Sequence, residues 1–227
     1  MPDVGELGAV AWDEDASAGQ WIAGRLGGFG PRVDGTVPRG YAAYACVPGP
    51  EHDATGVVTA VTQAEDLARV LAAFTRSQPV HLALWTGHPI LYDRGTDPRA
   101  TSGMGVVVGG DGDEPRPTEE ELAAAREEGW RRLAPTLVER PAAPMLLLPH
   151  REYHLWTGTV ADVAAFRRHG QPPDLWWPRD RSWFVGAEID STATYVGGGD
   201  AVVNAVCAEP SLGAYRVAPS DRMLFDG

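Results

Sequence analysis

The chain contains no lysine: all 19 of its basic residues are arginine. Schiff-base chemistry on an internal lysine and a phosphate-loop lysine are therefore both excluded. Cysteine is nearly as scarce. Cys46 and Cys207 stand far apart, form no CxxC pair and lie in apolar surroundings, so they read as buried small hydrophobes. Long apolar runs are missing, and nothing approaches the roughly 20 residues of a membrane helix. The first residues, MPDVGELGAVAWDEDASAG, lack the basic start and apolar run of a signal peptide. A cytoplasmic protein is the expectation.

Positive charge is in deficit as well, with a formal net charge of −12. Nucleic-acid partners need a basic surface, and anionic membrane faces attract one, so neither is expected. Several motifs are also missing. VVVGGDG at 106–112 lacks GxGxxG spacing, and its acidic neighbours Asp111, Asp113 and Glu114 would repel phosphate. There is no GxSxG elbow. His150, Glu152 and His154 recur at alternate positions, but at strand rise they span about 13 Å, too far to close round one ion. No metal site and no cofactor are expected.

What is present is ordinary globular composition, 44% hydrophobic over 227 residues, enough for a substantial core. Thr62/Glu65 and Thr118/Glu121 have capping-box spacing ahead of apolar stripes and mark two helices, the first from Thr62 to about Arg76. A third is expected after Thr159/Asp162, ending at Gly170, and a fourth over Asp200–Ala208 with Asp200 as its cap. Trp21–Leu26 fits one or two helical turns. Strands are expected over Val37–Val47, Gly56–Val61, Val80–Thr86, Met145–Leu148, Tyr153–Thr157, Trp183–Ile189 and Ala214–Val217. The tetrapeptide LWTG occurs twice, at 84–87 and 155–158. Strands alternate with helices, which predicts an α+β fold: one domain over 1–227, with a mixed β-sheet flanked by three to four helices. Residues 1–20 and 220–227 are expected to be loosely ordered.

The densest stretch is Asp174–Gly199, DLWWPRDRSWFVGAEIDSTATYVGGG, with three of the eight tryptophans, two arginines and four carboxylates. On a strand, Trp183, Val185, Ala187 and Ile189 share one face, while Phe184, Gly186, Glu188 and Asp190 share the other. Gly186 would leave room beside Glu188, and Arg179 or Arg181 is near enough in sequence to pair with it. A desolvated Glu188 would be a general acid, whereas an arginine partner would keep it ionised. Trp176 and Trp177 are either core or the aromatic floor of a pocket. Asp180 is a second candidate for an arginine pair. Tyr195 before Gly197–Gly199 and a helix marks a possible entrance.

With VPRGYAAYACV and LPHREYHLWTG, this stretch resembles a group of uncharacterised actinobacterial proteins. They share an LWWP-x-DR-x-W … EID … YVGG segment and a similar AYA segment near the start. The resemblance implies a bacterial cytosolic protein and supplies no catalytic residues. Two functions are therefore expected to compete. One is a binding or interaction protein, recognising a small molecule or a protein partner through a Trp/Arg/Glu surface of Trp176, Trp177, Arg179, Asp180, Arg181, Trp183, Asp190 and Tyr195. The other is a cofactor-independent enzyme, with Glu188 as general acid or base and Arg179 or Arg181 holding an anionic substrate.

Overall fold

A computed structural model describes residues 10–28, 30–49, 60–97, 117–134 and 137–225. They divide into two compact units, a larger one from Val10–Gly87 with Ala143–Gly227 and a smaller one within His88–Ala142. The class is α+β, as the alternation of patterns predicts.

The larger unit is built on an eight-stranded sheet. Its strands are β1 (Ala43–Pro48), β2 (Val80–Trp85), β5 (Leu146–Leu148), β6 (Arg151–Gly158), β7 (Leu175–Pro178), β8 (Trp183–Ala187), β9 (Ala193–Gly198) and β10 (Tyr215–Val217). They lie in the order β10-β1-β9-β8-β7-β2-β6-β5, and every pairing is antiparallel. Parallel pairing occurs in the smaller unit, between β3 (Leu91–Tyr92) and β4 (Val138–Glu139). The two LWTG segments sit on neighbouring antiparallel strands, with Leu84 opposite His154.

Both faces of the sheet are covered, so successive residues of β1, β8 and β9 are buried on alternate sides. One face packs on α1 (Ala60–Thr75) and α3 (Asp200–Ala208). There Trp176 meets Trp183 edge-on, with centroids 5.4 Å apart. The other face carries Tyr44, Cys46, Ala83, Leu155, Leu175, Trp177, Phe184 and Tyr195. It is covered by Ile22, Val33, Val37 and Met223 from the two ends of the chain.

The tail expected to be loose from Ser220 is instead tied down through Leu224. Val33 N–H donates to Asp221 O, Met223 N–H to Pro31 O, and Leu224 N–H to the Tyr195 hydroxyl at 2.7 Å. The N-terminal side is anchored too: Trp12 bridges Trp156 at the edge of β6. Residues 1–9 lie outside the described residues, as does the apolar run Val106–Val108.

Several local expectations shift. The strand expected from Val37 begins only at Ala43. α1 already includes Ala60, so Val61 is helical rather than strand, and Thr62 lies inside the helix. Glu65 then pairs with Arg167, at 2.9 Å to Nε, instead of closing a capping box. Arg76 follows the helix with φ 56°, a left-handed stop. The Thr159–Asp162 signal starts a 3-10 turn, Val160–Ala164, and Gly170 (φ 66°) ends a second one, Arg167–His169. Asp200 opens α3 but does not cap it; it accepts from Arg216 at 2.8 Å. In the smaller unit Thr118 and Glu121 do form a capping box, at the start of α2 (Glu119–Leu133). Among the described residues no helix is long and apolar enough to cross a membrane.

Candidate functional site

The hairpin β7–β8 and the strand β9 beside it hold the dense stretch, and they divide its residues into three groups. The first is core. Trp176 and Trp177 are 1% exposed, Trp183 0% and Tyr195 1%, so none of them forms a recognition surface. Their burial follows from the sheet being covered on both sides: period-two alternation separates the side chains, but each face has its own cover. Trp177 stacks on Phe184 at 5.6 Å, and the Tyr195 hydroxyl holds the C-terminal tail. Gly197 and Gly198 end β9 and Gly199 is the N-cap residue of α3, so the glycine run after Tyr195 carries the strand directly into the helix.

The second group is the hairpin tip. Arg179, Asp180 and Arg181 are all exposed, and Arg181 adopts a left-handed φ of 57° while its N–H reaches Pro178 O at 2.8 Å. Among the described residues Asp180 makes no ion pair with an arginine, although, against the opposing effect of burial, Arg76 helps hold its carboxyl below the usual range. Its carboxylate accepts the Ser182 N–H at 2.9 Å, and its own N–H donates to Gln78 at 2.8 Å. The tip is at the Trp183 end of β8, whereas Glu188 follows its other end. Arg179 and Arg181 therefore do not pair with Glu188, contrary to the sequence expectation.

The third group forms the candidate site. Glu188 leaves β8 and pairs with Arg151 at the start of β6, and Asp190 Oδ2 lies 3.7 Å from the same guanidinium. Side-chain exposure is 15% for Glu188, 18% for Arg151 and 75% for Asp190, so the Arg151–Glu188 pair is mostly withdrawn from water while Asp190 is at the rim. Around the pair lies an open cleft of about 340 Å³, counted to its mouth, lined by Leu26, Thr36, Leu148, Pro149, Tyr153 and Leu175. The space within it that a water-sized sphere can occupy is about 20 Å³, room for one compact group such as an ammonium. The space beside Gly186 is not part of it. A Cβ there would come within 3.0 Å of Thr36 O and Cγ2, so the glycine admits the covering segment rather than a ligand.

Asp174 adds a buried carboxylate at this end of the sheet, its Oδ2 taking the Trp85 N–H at 2.6 Å. Burial pushes the Tyr153 phenol far above its usual range, and the neighbouring Asp174 and Glu188 charges push it the same way, against Arg151. Tyr153 is thus a permanently protonated wall. Arg151 also lies 5.8 Å from the Trp85 ring centre. One guanidinium faces two carboxylates here, Glu188 and Asp190, which leaves the site formally negative.

Sequence reasoning located Glu188 and Asp190 but missed Arg151, 37 positions away. In the sequence Arg151 is only the residue between His150 and Glu152, with nothing local to tie it to Glu188. His150 has φ 67° and stands in the turn before β6, Glu152 is exposed, and His154 is buried on the strand. They do not converge. Among the described residues no group of three His, Cys, Asp or Glu side chains could hold a metal ion. A third polar trio was not anticipated: His81 Nδ1 lies 2.8 Å from the Thr157 hydroxyl, which donates to Asp13 at 2.8 Å. Comparisons with family models, curated proteins and solved structures found no match to this chain.

Proposed function

We propose that this chain is a non-catalytic binding protein whose cleft beside Glu188 takes a small molecule with a cationic group. The observation that carries the reading is the withdrawn Arg151–Glu188 pair set in a cleft of mixed polar and apolar walls, with Asp190 at its rim. An ammonium or guanidinium entering the cleft would meet surplus carboxylate, and Leu26, Leu148 and Leu175 would take its hydrocarbon part. A catalytic Glu188 would have to release its charge-assisted bond to Arg151 before moving a proton, which favours holding over chemistry. The burial of the four aromatic candidates removes the flat tryptophan patch that a protein partner would need. Two free thiols suit a reducing compartment, so a cytoplasmic setting belongs to the same proposal.

Thermal-shift measurements with free arginine, aliphatic diamines and, as an anionic control, glutarate test this reading. The cationic compounds should raise the melting temperature and glutarate should not. Glu188→Gln should itself cost only about 1–2 kcal/mol, because the amide still accepts from Arg151 while the withdrawn cation loses its counter-charge. That variant should stay folded and no longer respond to the cations. Stabilisation by no cationic compound, or an undiminished response in Glu188→Gln, would defeat the proposal.

A further inference from the structure

At the other end of β8, two shielded donors have no acceptor. Trp21 Nε1 and the Tyr41 hydroxyl are both closed off from solvent and make no hydrogen bond. Their rings are neighbours on the sheet. Trp21 stands edge-on to Phe184 at 5.9 Å. Tyr41 lies over Gly197, where a Cβ would come within 2.6 Å of the ring. Phe184 and Gly197 are direct register partners, so the side chain that Trp21 meets and the glycine that Tyr41 covers stand at facing positions of β8 and β9. Neither orphan is a chance of exposure, because buried donors are almost always matched and an unmatched one is costly.

Two guanidiniums share this place. Arg181 lies 4.8 Å from the Trp21 ring centre and Arg25 lies 5.6 Å from it. Both side chains are exposed, and neither has a carboxylate at ion-pair distance among the described residues. Both are within electrostatic range of the Tyr41 hydroxyl. Burial nevertheless raises that phenol well above its usual range, so it stays a donor. Arg181 stands in a left-handed turn (φ 57°), and its guanidinium lies over the Trp21 ring. Asp180 opposes the cluster's charge from the same turn, with its carboxylate engaged by the Ser182 N–H.

An indole N–H, a phenol O–H and two guanidiniums without a carboxylate at ion-pair distance offer a surplus of donors and positive charge, against which only the Asp180 carboxylate stands. Their complement is a compact anion with several oxygens. We infer that Trp21, Tyr41, Arg25 and Arg181 form an oxyanion site for a phosphate group, free or carried by a small monoester. The exposed guanidiniums meet the anion first. As they swing off the Trp21 face, the indole N–H and the phenol O–H behind them become available. The site is separate from the Arg151–Glu188 cleft and does not depend on what that cleft binds.

The test follows the Trp21 indole N–H signal in a ¹H–¹⁵N spectrum, assigned with Trp21→Phe. Inorganic phosphate and glycerol phosphate are titrated at ionic strength held constant with chloride. A saturable shift of that signal is expected while the remaining indole signals stay still. Saturation at lower concentration by glycerol phosphate than by inorganic phosphate marks the monoester as the better ligand, and the reverse marks the free ion. Arg181→Ala and Arg25→Ala should each weaken binding at least tenfold with the remaining indole signals unmoved, and Tyr41→Phe should weaken it several-fold. A drift without saturation, or the same saturation curve in both arginine variants, would overturn the inference.

Discussion

At the scale of single residues, His81, which packs against Trp177, is a side chain whose protonation the fold opposes. Burial lowers its pKa below the usual histidine value, and Arg179 and Arg181 lower it further against the pull of Asp13. The unfolded chain then binds a proton more readily than the folded one once pH falls through about 6.5. His81 therefore costs nothing well above that value and withdraws stability as pH drops below it toward the lower folded pKa. Replacing His81 by Asn should flatten that part of the acid limb, seen as a smaller fall in denaturation midpoint between pH 7 and 5. An unchanged limb would assign the acid sensitivity elsewhere. Glu188 illustrates what was legible at this scale. Its type and its position at the end of a strand could be read from the chain. Its partner could not, because Arg151 is brought to it by the order of strands and not by any local spacing.

Among elements, the hairpin β7–β8 was legible in its period and not in its surroundings. Alternation correctly separates Trp183 and Val185 from Phe184 and Gly186. It says nothing of what covers either side, and so the sequence leaves Trp176 and Trp177 open between core and pocket floor and allows Tyr195 an entrance, whereas all three are buried because both faces are occupied. Asp200–Ala208 was readable because Pro210 and the glycine run bound it on both sides. The Thr62 helix start was misplaced because a capping box is a two-residue signal that Ala60 and Val61 can override by simply continuing the helix. Glycines in the sheet carry a message that emerges only in three dimensions. Gly197 lies under Tyr41 and Val37, and a Cβ would stand 2.6 Å and 2.9 Å from their side chains. Gly197→Ala should therefore destabilise the protein by about 1–3 kcal/mol, measured by urea unfolding. An effect within a few tenths of neutral would show that this covering segment does not press on β9.

On the scale of the whole larger unit, both chain ends are brought onto one sheet face. Residues 12–37 and 219–225 interlock there through Val33, Asp221, Pro31 and Met223. Neither segment announces this, since residues 12–37 are rich in small and acidic residues and 219–225 offers only the short apolar run Met223–Phe225. The covering has a functional consequence: Leu26 and Thr36 come from the N-terminal cover, Leu148 and Arg151 from the β5–β6 edge, and Glu188 from the middle of the sheet. The cleft exists only when all three are assembled, so local sequence could not display it. Truncating a buried tryptophan of this unit costs roughly 3–5 kcal/mol, a large part of a typical domain's stability. Loss of binding in such a variant would report on folding alone, which is why the test belongs to Glu188. Calorimetric titration of the most stabilising cationic ligand into the wild-type chain, Glu188→Gln and, as a control at the far end of β8, Asp180→Asn decides the matter. The account predicts at least a tenfold loss of affinity in Glu188→Gln, about 1.4 kcal/mol, and wild-type affinity in Asp180→Asn. Equal affinity in the wild-type chain and Glu188→Gln would contradict it.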